Sequence, residues 1–113
     1  MHNLHAYWRM EYLSVPSEGE EVGNPFVRLP EHGDDRAVYI VHRAKYSYLV
    51  LNKYPYTPGH LLAVPFREVP RLRDLGADER IDLMELITFA QDLLEDAFSP
   101  DGFNIGINEG STG

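Results

Sequence analysis

A chain of 113 residues with 43% hydrophobic and 12% aromatic content is long enough for one domain with a modest core, and too apolar for disorder. Its formal charge of −8, from 18 acidic against 10 basic residues, argues against nucleic acid or another bulk polyanion as partner, though not against a small nucleotide. The lack of Cys excludes disulfides, thiolate zinc sites, iron–sulfur clusters and a thiol nucleophile.

No apolar run approaches the roughly 18 residues of a membrane span. The stretch from Met1 to Leu13 lacks the apolar centre of a signal peptide. The expectation is therefore a cytoplasmic protein with no membrane partner. Residues 1–36 form a first region. Tyr7-Trp8-Arg9-Met10-Glu11-Tyr12-Leu13 is aromatic enough to dock on the domain body or on a second subunit, and residues 14–36 read as an irregular, acidic, Pro- and Gly-rich connection.

From Ala37 the signals become regular. Ala37–His42 and Tyr46–Leu51 are β-branched and aromatic, and read as two strands joined by a short hairpin connection. Residues 52–59 hold Pro55, Pro58 and Gly59 and read as a shaped turn. His60–Val64 reads as a third strand, stopped by Pro65, and the simplest topology is an antiparallel meander. A long helix follows. Leu83, Leu86, Ile87, Ala90, Leu94, Ala97 and Phe98 recur on one face, with Asp82, Glu85, Gln91, Asp92, Glu95 and Asp96 on the polar side. Gly76-Ala77-Asp78-Glu79 marks its start and Ser99-Pro100-Asp101-Gly102 its stop. Phe103–Ile107 alternates large and small residues and reads as a fourth strand, ahead of the terminal Asn108–Gly113 loop. The sum is an α+β domain.

Of the five His, His2, His5 and His32 fall in surface-like segments and His42 ends a strand. His60 follows a tight turn and opens an apolar strand, which by pattern alone favours a structural role. None pairs with a carboxylate at a metal-binding spacing, so no metal site is expected. Asn52 and Asn108 each stand where an apolar strand ends. There an amide either caps the turn or donates to a sugar hydroxyl or phosphate. Gly110, Ser111, Thr112 and Gly113 have the composition to cradle a phosphate with backbone N–H groups. They do not form a Walker loop, since Lys occurs only at positions 45 and 53. GxGxxG, GxSxG and HExxH are also absent. The residues alone therefore reach a small α+β domain with a candidate anion or nucleotide pocket.

Three stretches extend this reading. Leu49–Pro65 (LVLNKYPYTPGHLLAVP), Asp101–Gly110 (DGFNIGINEG) and the opening Tyr7–Leu13 together resemble the histidine triad (HIT) superfamily. The bacterial branch related to diadenosine tetraphosphate phosphorylases and hydrolases is the most similar. The resemblance implies an antiparallel sheet of about four to five strands with one long helix, a HIT domain over residues 37–113, and a homodimer or higher assembly. It places Asn52 at the nucleotide ribose, Val50 and Ile40 at the base, and Asn108, Gly110, Ser111, Thr112 and Gly113 at the phosphates. His60 would support the site without being the nucleophile.

The family's His-x-His-x-His motif, whose middle imidazole attacks the α-phosphate, lies downstream of this loop. The chain ends before it, so no catalytic residue is expected within residues 1–113, and the domain would lack its last strand. Asn24-Pro25-Phe26-Val27 stands where some relatives carry a Cys-x-x-Cys zinc half-site, so no zinc is expected. No cofactor is expected either, and the one metal the resemblance leaves room for is a divalent ion accompanying the nucleotide. The implied function of the full-length protein is hydrolysis or phosphorolysis of dinucleoside polyphosphates or related nucleotidyl phosphates. The alternative is a non-catalytic nucleotide-binding or subunit-interaction module.

Overall fold

The computed structural model describes residues 25–52 and 58–110. A single helical turn, α1 (Pro25–Arg28), runs into a 3-10 turn at Leu29–Glu31. A second 3-10 turn, Arg36–Val38, leads to strands β1 (Ile40–Arg43), β2 (Ser47–Leu51) and β3 (Leu61–Pro65). A third 3-10 turn at Leu72–Asp74 precedes the long helix α2 (Ala77–Phe98). The sheet is the expected meander, antiparallel in the order β1-β2-β3. No described helix is long and apolar enough to cross a membrane.

The middle strand organises the packing. All five residues of β2 are buried, so both of its faces are covered. Successive side chains alternate between those faces. Leu49 packs with Leu86 and Ala90 of α2, with Phe89 and Leu93 beside them. Tyr48 faces the other way, in a cluster with Tyr39, Ile40, Val41 and Val50 that Phe26 and Leu29 close over. The Tyr48 hydroxyl donates to the carbonyl of Phe26. Burial pushes the Tyr48 phenol well above its ordinary pKa, so it stays a neutral donor.

Helix α2 occupies the predicted residues. Ser99 ends it in the left-handed region at φ 49°, donating its N–H to the Glu95 carbonyl, and Pro100 prevents continuation. At the start, Glu79 reaches back to accept the Gly76 N–H at 2.8 Å. It also accepts from Arg67, whose guanidinium donates on to the Asp74 carbonyl. Arg67 and the Gly76 N–H hold the Glu79 carboxyl down at about 2, against an ordinary 4.5.

Three expectations need correction. The strand predicted from Ala37 begins only at Ile40. Ala37 and Val38 donate to the carbonyls of Asp34 and Asp35, closing a 3-10 turn, and Tyr39 reverses the chain at φ 66°. Asp82 does not lie on the solvent side of α2. Its Oδ2 accepts the Tyr46 N–H at 3.0 Å and the Oγ–H of buried Ser47 at 2.8 Å, which fastens the helix to the β1–β2 hairpin. Finally, the described sheet has three strands, not four to five. Phe103–Ile107 is unpaired, and Ile105 and Ile107 are 59% and 62% exposed. Asn104 and Gly106 are poor strand formers, and the large residues two apart have no facing sheet layer to cover them.

Two outcomes follow from these contacts. Asp82→Ala strands a buried hydroxyl and an N–H, and is expected to cost about 1–3 kcal/mol in urea unfolding, with Asp82→Asn recovering part of the loss through its remaining acceptor oxygen. The depressed Glu79 carboxyl contributes stability that is complete above its unfolded value of 4.5 and lost as pH falls toward 2. The gap in melting temperature between wild type and Arg67→Ala should therefore narrow over that interval; a gap that stays constant refutes the coupling.

Candidate functional site

The antiparallel register brings the end of β2 beside the start of β3, with Leu51 opposite Leu61. The next residue outward on each strand is Asn52 and His60, and the Asn52 N–H donates to the His60 carbonyl at 3.2 Å. Their side chains meet as well. Asn52 Nδ2 lies 3.0 Å from His60 Nδ1 and 3.5 Å from Nε2, and only the first is a good hydrogen-bond length. Gly59 supplies the φ of +90° that turns the chain into β3. Residues 53–57, between the two, lie outside the described residues.

An amide nitrogen can only donate. Nδ1 of His60 is therefore the acceptor, and the proton of the neutral ring resides on Nε2. Asn52 is half-buried and His60 exposed, so the pair offers an oriented imidazole N–H and an amide oxygen at the rim of the sheet. Two neighbouring polar groups of this kind suit a sugar hydroxyl or a phosphate oxygen.

Ile40 and Val50 also come together, as direct partners across β1 and β2. They are 1% and 2% exposed and sit within the core cluster. Asn108 is exposed, on the segment leading to Gly110. Gly110, at φ +88°, donates its N–H to the Pro70 carbonyl at 2.7 Å, and the Glu109 carboxylate accepts the Leu72 N–H at 2.9 Å. Ser111, Thr112 and Gly113 lie outside the described residues, as do His2 and His5.

The structure thus forms two groups. One is Asn52 with His60, before β3. The other is Asn108–Gly110, held to residues 70–72 past the far end of β3. The whole of β3, five residues at roughly 3.3 Å each, and residues 66–69 after it lie between their anchor points. Among the remaining His, His42 packs its ring against Phe89, tilted by 42° with 4.4 Å between centroids, and His32 is exposed. Sequence reasoning passed over Arg71, Arg73 and Arg80. With Leu72 and Glu109 they line a cavity of about 740 Å³. The available signal was three Arg within ten residues of a strongly acidic chain.

Comparison with known proteins adds an independent finding. The model of the HIT domain family matches residues 35–113. An AP-4-A phosphorylase of Mycobacterium tuberculosis is 36% identical over 99% of this chain and 60% of its own length. A bis(5'-nucleosyl)-tetraphosphatase (asymmetrical) of Schizosaccharomyces pombe is 41% identical over 63% of this chain and 39% of its own. A bis(5'-adenosyl)-triphosphatase of Dictyostelium discoideum is 36% identical over 57% and 43%. The chain therefore spans about 60% of the phosphorylase and less of the other two.

The Asn52–His60 contact has a direct spectroscopic consequence. Nitrogen-15 spectra of the neutral His60 ring should show an unprotonated Nδ1 and a protonated Nε2, and Asn52→Ala should move the ring toward a mixture of tautomers. Unchanged ring shifts in the variant would mean that Asn52 does not set the proton's position.

Proposed function

The chain belongs to the HIT domain family, and from that premise we propose that it contributes the nucleotide-binding part of an enzyme that hydrolyses or phosphorolyses dinucleoside polyphosphates. The observation that carries this reading is the 3.0 Å contact between the Asn52 amide and the His60 ring at the open end of the sheet. It sets two oriented polar groups beside an apolar strand pair, as recognition of a nucleoside requires. The named relatives, a phosphorylase of AP-4-A and two hydrolases of bis-nucleosyl polyphosphates, support the substrate class.

In this reading Asn52 engages the ribose hydroxyls and His60 orients the site, while Ile40 and Val50, buried in the core cluster, support the strand ends from beneath without touching the base. Asn108 and Gly110, held beyond the far end of β3, would meet the distal part of the phosphate chain and not the phosphate next to this ribose. The nucleophile is an imidazole outside residues 1–113. Its lone pair forms a bond to the α-phosphorus as the α–β bridging P–O bond breaks, and the departing phosphate chain takes that electron pair. Water or inorganic phosphate then displaces the imidazole. A divalent ion enters, if at all, with the substrate's phosphates. We further propose cytoplasmic residence and assembly as a homodimer.

Calorimetric titration with AMP tests the binding half of this reading. Asn52→Ala should weaken AMP at least about tenfold, the loss expected for a good hydrogen bond to a polar ligand group. Absence of heat from the wild-type chain overturns it. For the full-length protein, turnover of diadenosine tetraphosphate that stops when phosphate is omitted identifies phosphorolysis, and turnover that persists identifies hydrolysis.

A further inference from the structure

The basic side chains of this acidic protein are unevenly engaged. Arg43 is paired with Asp35 and the Pro30 carbonyl, and Arg67 with Glu79 and the Asp74 carbonyl. Arg80 donates to the Leu75 carbonyl. Arg71 and Arg73 make no ion pair or side-chain hydrogen bond among the described residues. Both line the same cavity as Arg80.

Leu72 lies between these two arginines, and its backbone N–H is already bound to an anion, the Glu109 carboxylate at 2.9 Å. A carboxylate oxygen thus occupies the place where an external oxyanion would sit. The cavity, at about 740 Å³, has room for several phosphate groups, and it has no aromatic wall on which a base could stack. A guanidinium presents a planar fork of donors that matches phosphate oxygens two at a time, and it keeps its charge at any working pH.

We propose that the cavity of Arg71, Arg73 and Arg80 is a phosphate-oxyanion site, in which the incoming anion displaces the Glu109 carboxylate from the Leu72 N–H. The ligand is a chain of phosphates, either the distal phosphates of the nucleotide substrate or a free inorganic oligophosphate. The first of these sources rests on the nucleotide reading above. The site would give a chain of net charge −8 a local positive surface where its substrate is most negative.

The test is calorimetry on the full chain with sodium tripolyphosphate, AMP and ATP. Wild type should bind tripolyphosphate with an affinity that falls as salt is raised. The double variant Arg71→Gln/Arg73→Gln should bind it at least about tenfold more weakly. Because both side chains are exposed and make no ion pair among the described residues, the variant should melt as wild type does. Glu109→Gln, which removes the competing charge, should bind tripolyphosphate more tightly.

If ATP binds more tightly than AMP and the double variant abolishes that advantage, the site serves the substrate's own phosphates. If only tripolyphosphate responds to the variant, the ligand is free oligophosphate. Tripolyphosphate binding that is absent at millimolar concentration, or equal in wild type and double variant, overturns the proposal. The Asn52→Ala titration with AMP judges the nucleotide reading separately, so either claim can fail without the other.

Discussion

A strand with no exposed residue must be covered on both faces before it can exist, and β2 is such a strand. Its five residues are between 0% and 2% exposed. Fully burying a Leu or Val side chain contributes roughly 1.5–3 kcal/mol, so the strand repays the ordering of its neighbours only when both covers are in place. Helix α2 supplies one through Leu86 and Ala90, and the α1 region supplies the other through Phe26 and Leu29. The polar groups that this burial would strand are matched individually. Asp82 accepts from Ser47 and Tyr46, and the Phe26 carbonyl accepts from Tyr48. An unmatched group at any of these points would cost about as much as a buried apolar side chain gains.

With β2 closed in this way, the polar groups next to it meet solvent where the strand ends. At one end the ladder stops at Leu51 and Leu61, and the next pair outward is Asn52 and His60. Their side-chain contact follows directly from the register, because antiparallel pairing aligns two residues that stand eight positions apart in sequence. At the other end the chain leaves β3 for residues 70–72, where the Leu72 and Pro70 backbone groups hold Glu109 and Gly110. The whole length of β3 lies between the two ends.

The exposed ion pairs add geometry more than energy. Arg43 with Asp35 ties the β1–β2 hairpin to the preceding turns, and Arg67 with Glu79 ties the exit of β3 to the first turn of α2. Pairs this open to water typically contribute less than about 1 kcal/mol each. Neither pair involves Arg71 or Arg73.

Periodicity and punctuation in the sequence determined the helix Ala77–Phe98, the three-strand meander and the turn that precedes His60, because these rest on local pattern and on Gly and Pro. The family was legible too, since three separated motifs recur in order. Where local pattern was ambiguous, tertiary contacts decided. A carboxylate on a helix looks solvent-directed until a buried hydroxyl and an N–H are brought to it, so the role of Asp82 was invisible along the chain. The Ala37–Tyr39 run reads as the start of a strand, yet the Asp34, Asp35 and Arg36 carbonyls capture its N–H groups first. Phe103–Ile107 has strand alternation, but a strand requires a partner ladder, which alternation cannot supply. The arginines at 71, 73 and 80 acquire meaning only when Glu109, some thirty residues on, folds back among them. Local pattern is read from side-chain chemistry and spacing; pairing between distant segments depends on which backbone groups and charges the packed chain brings within a few ångströms of each other.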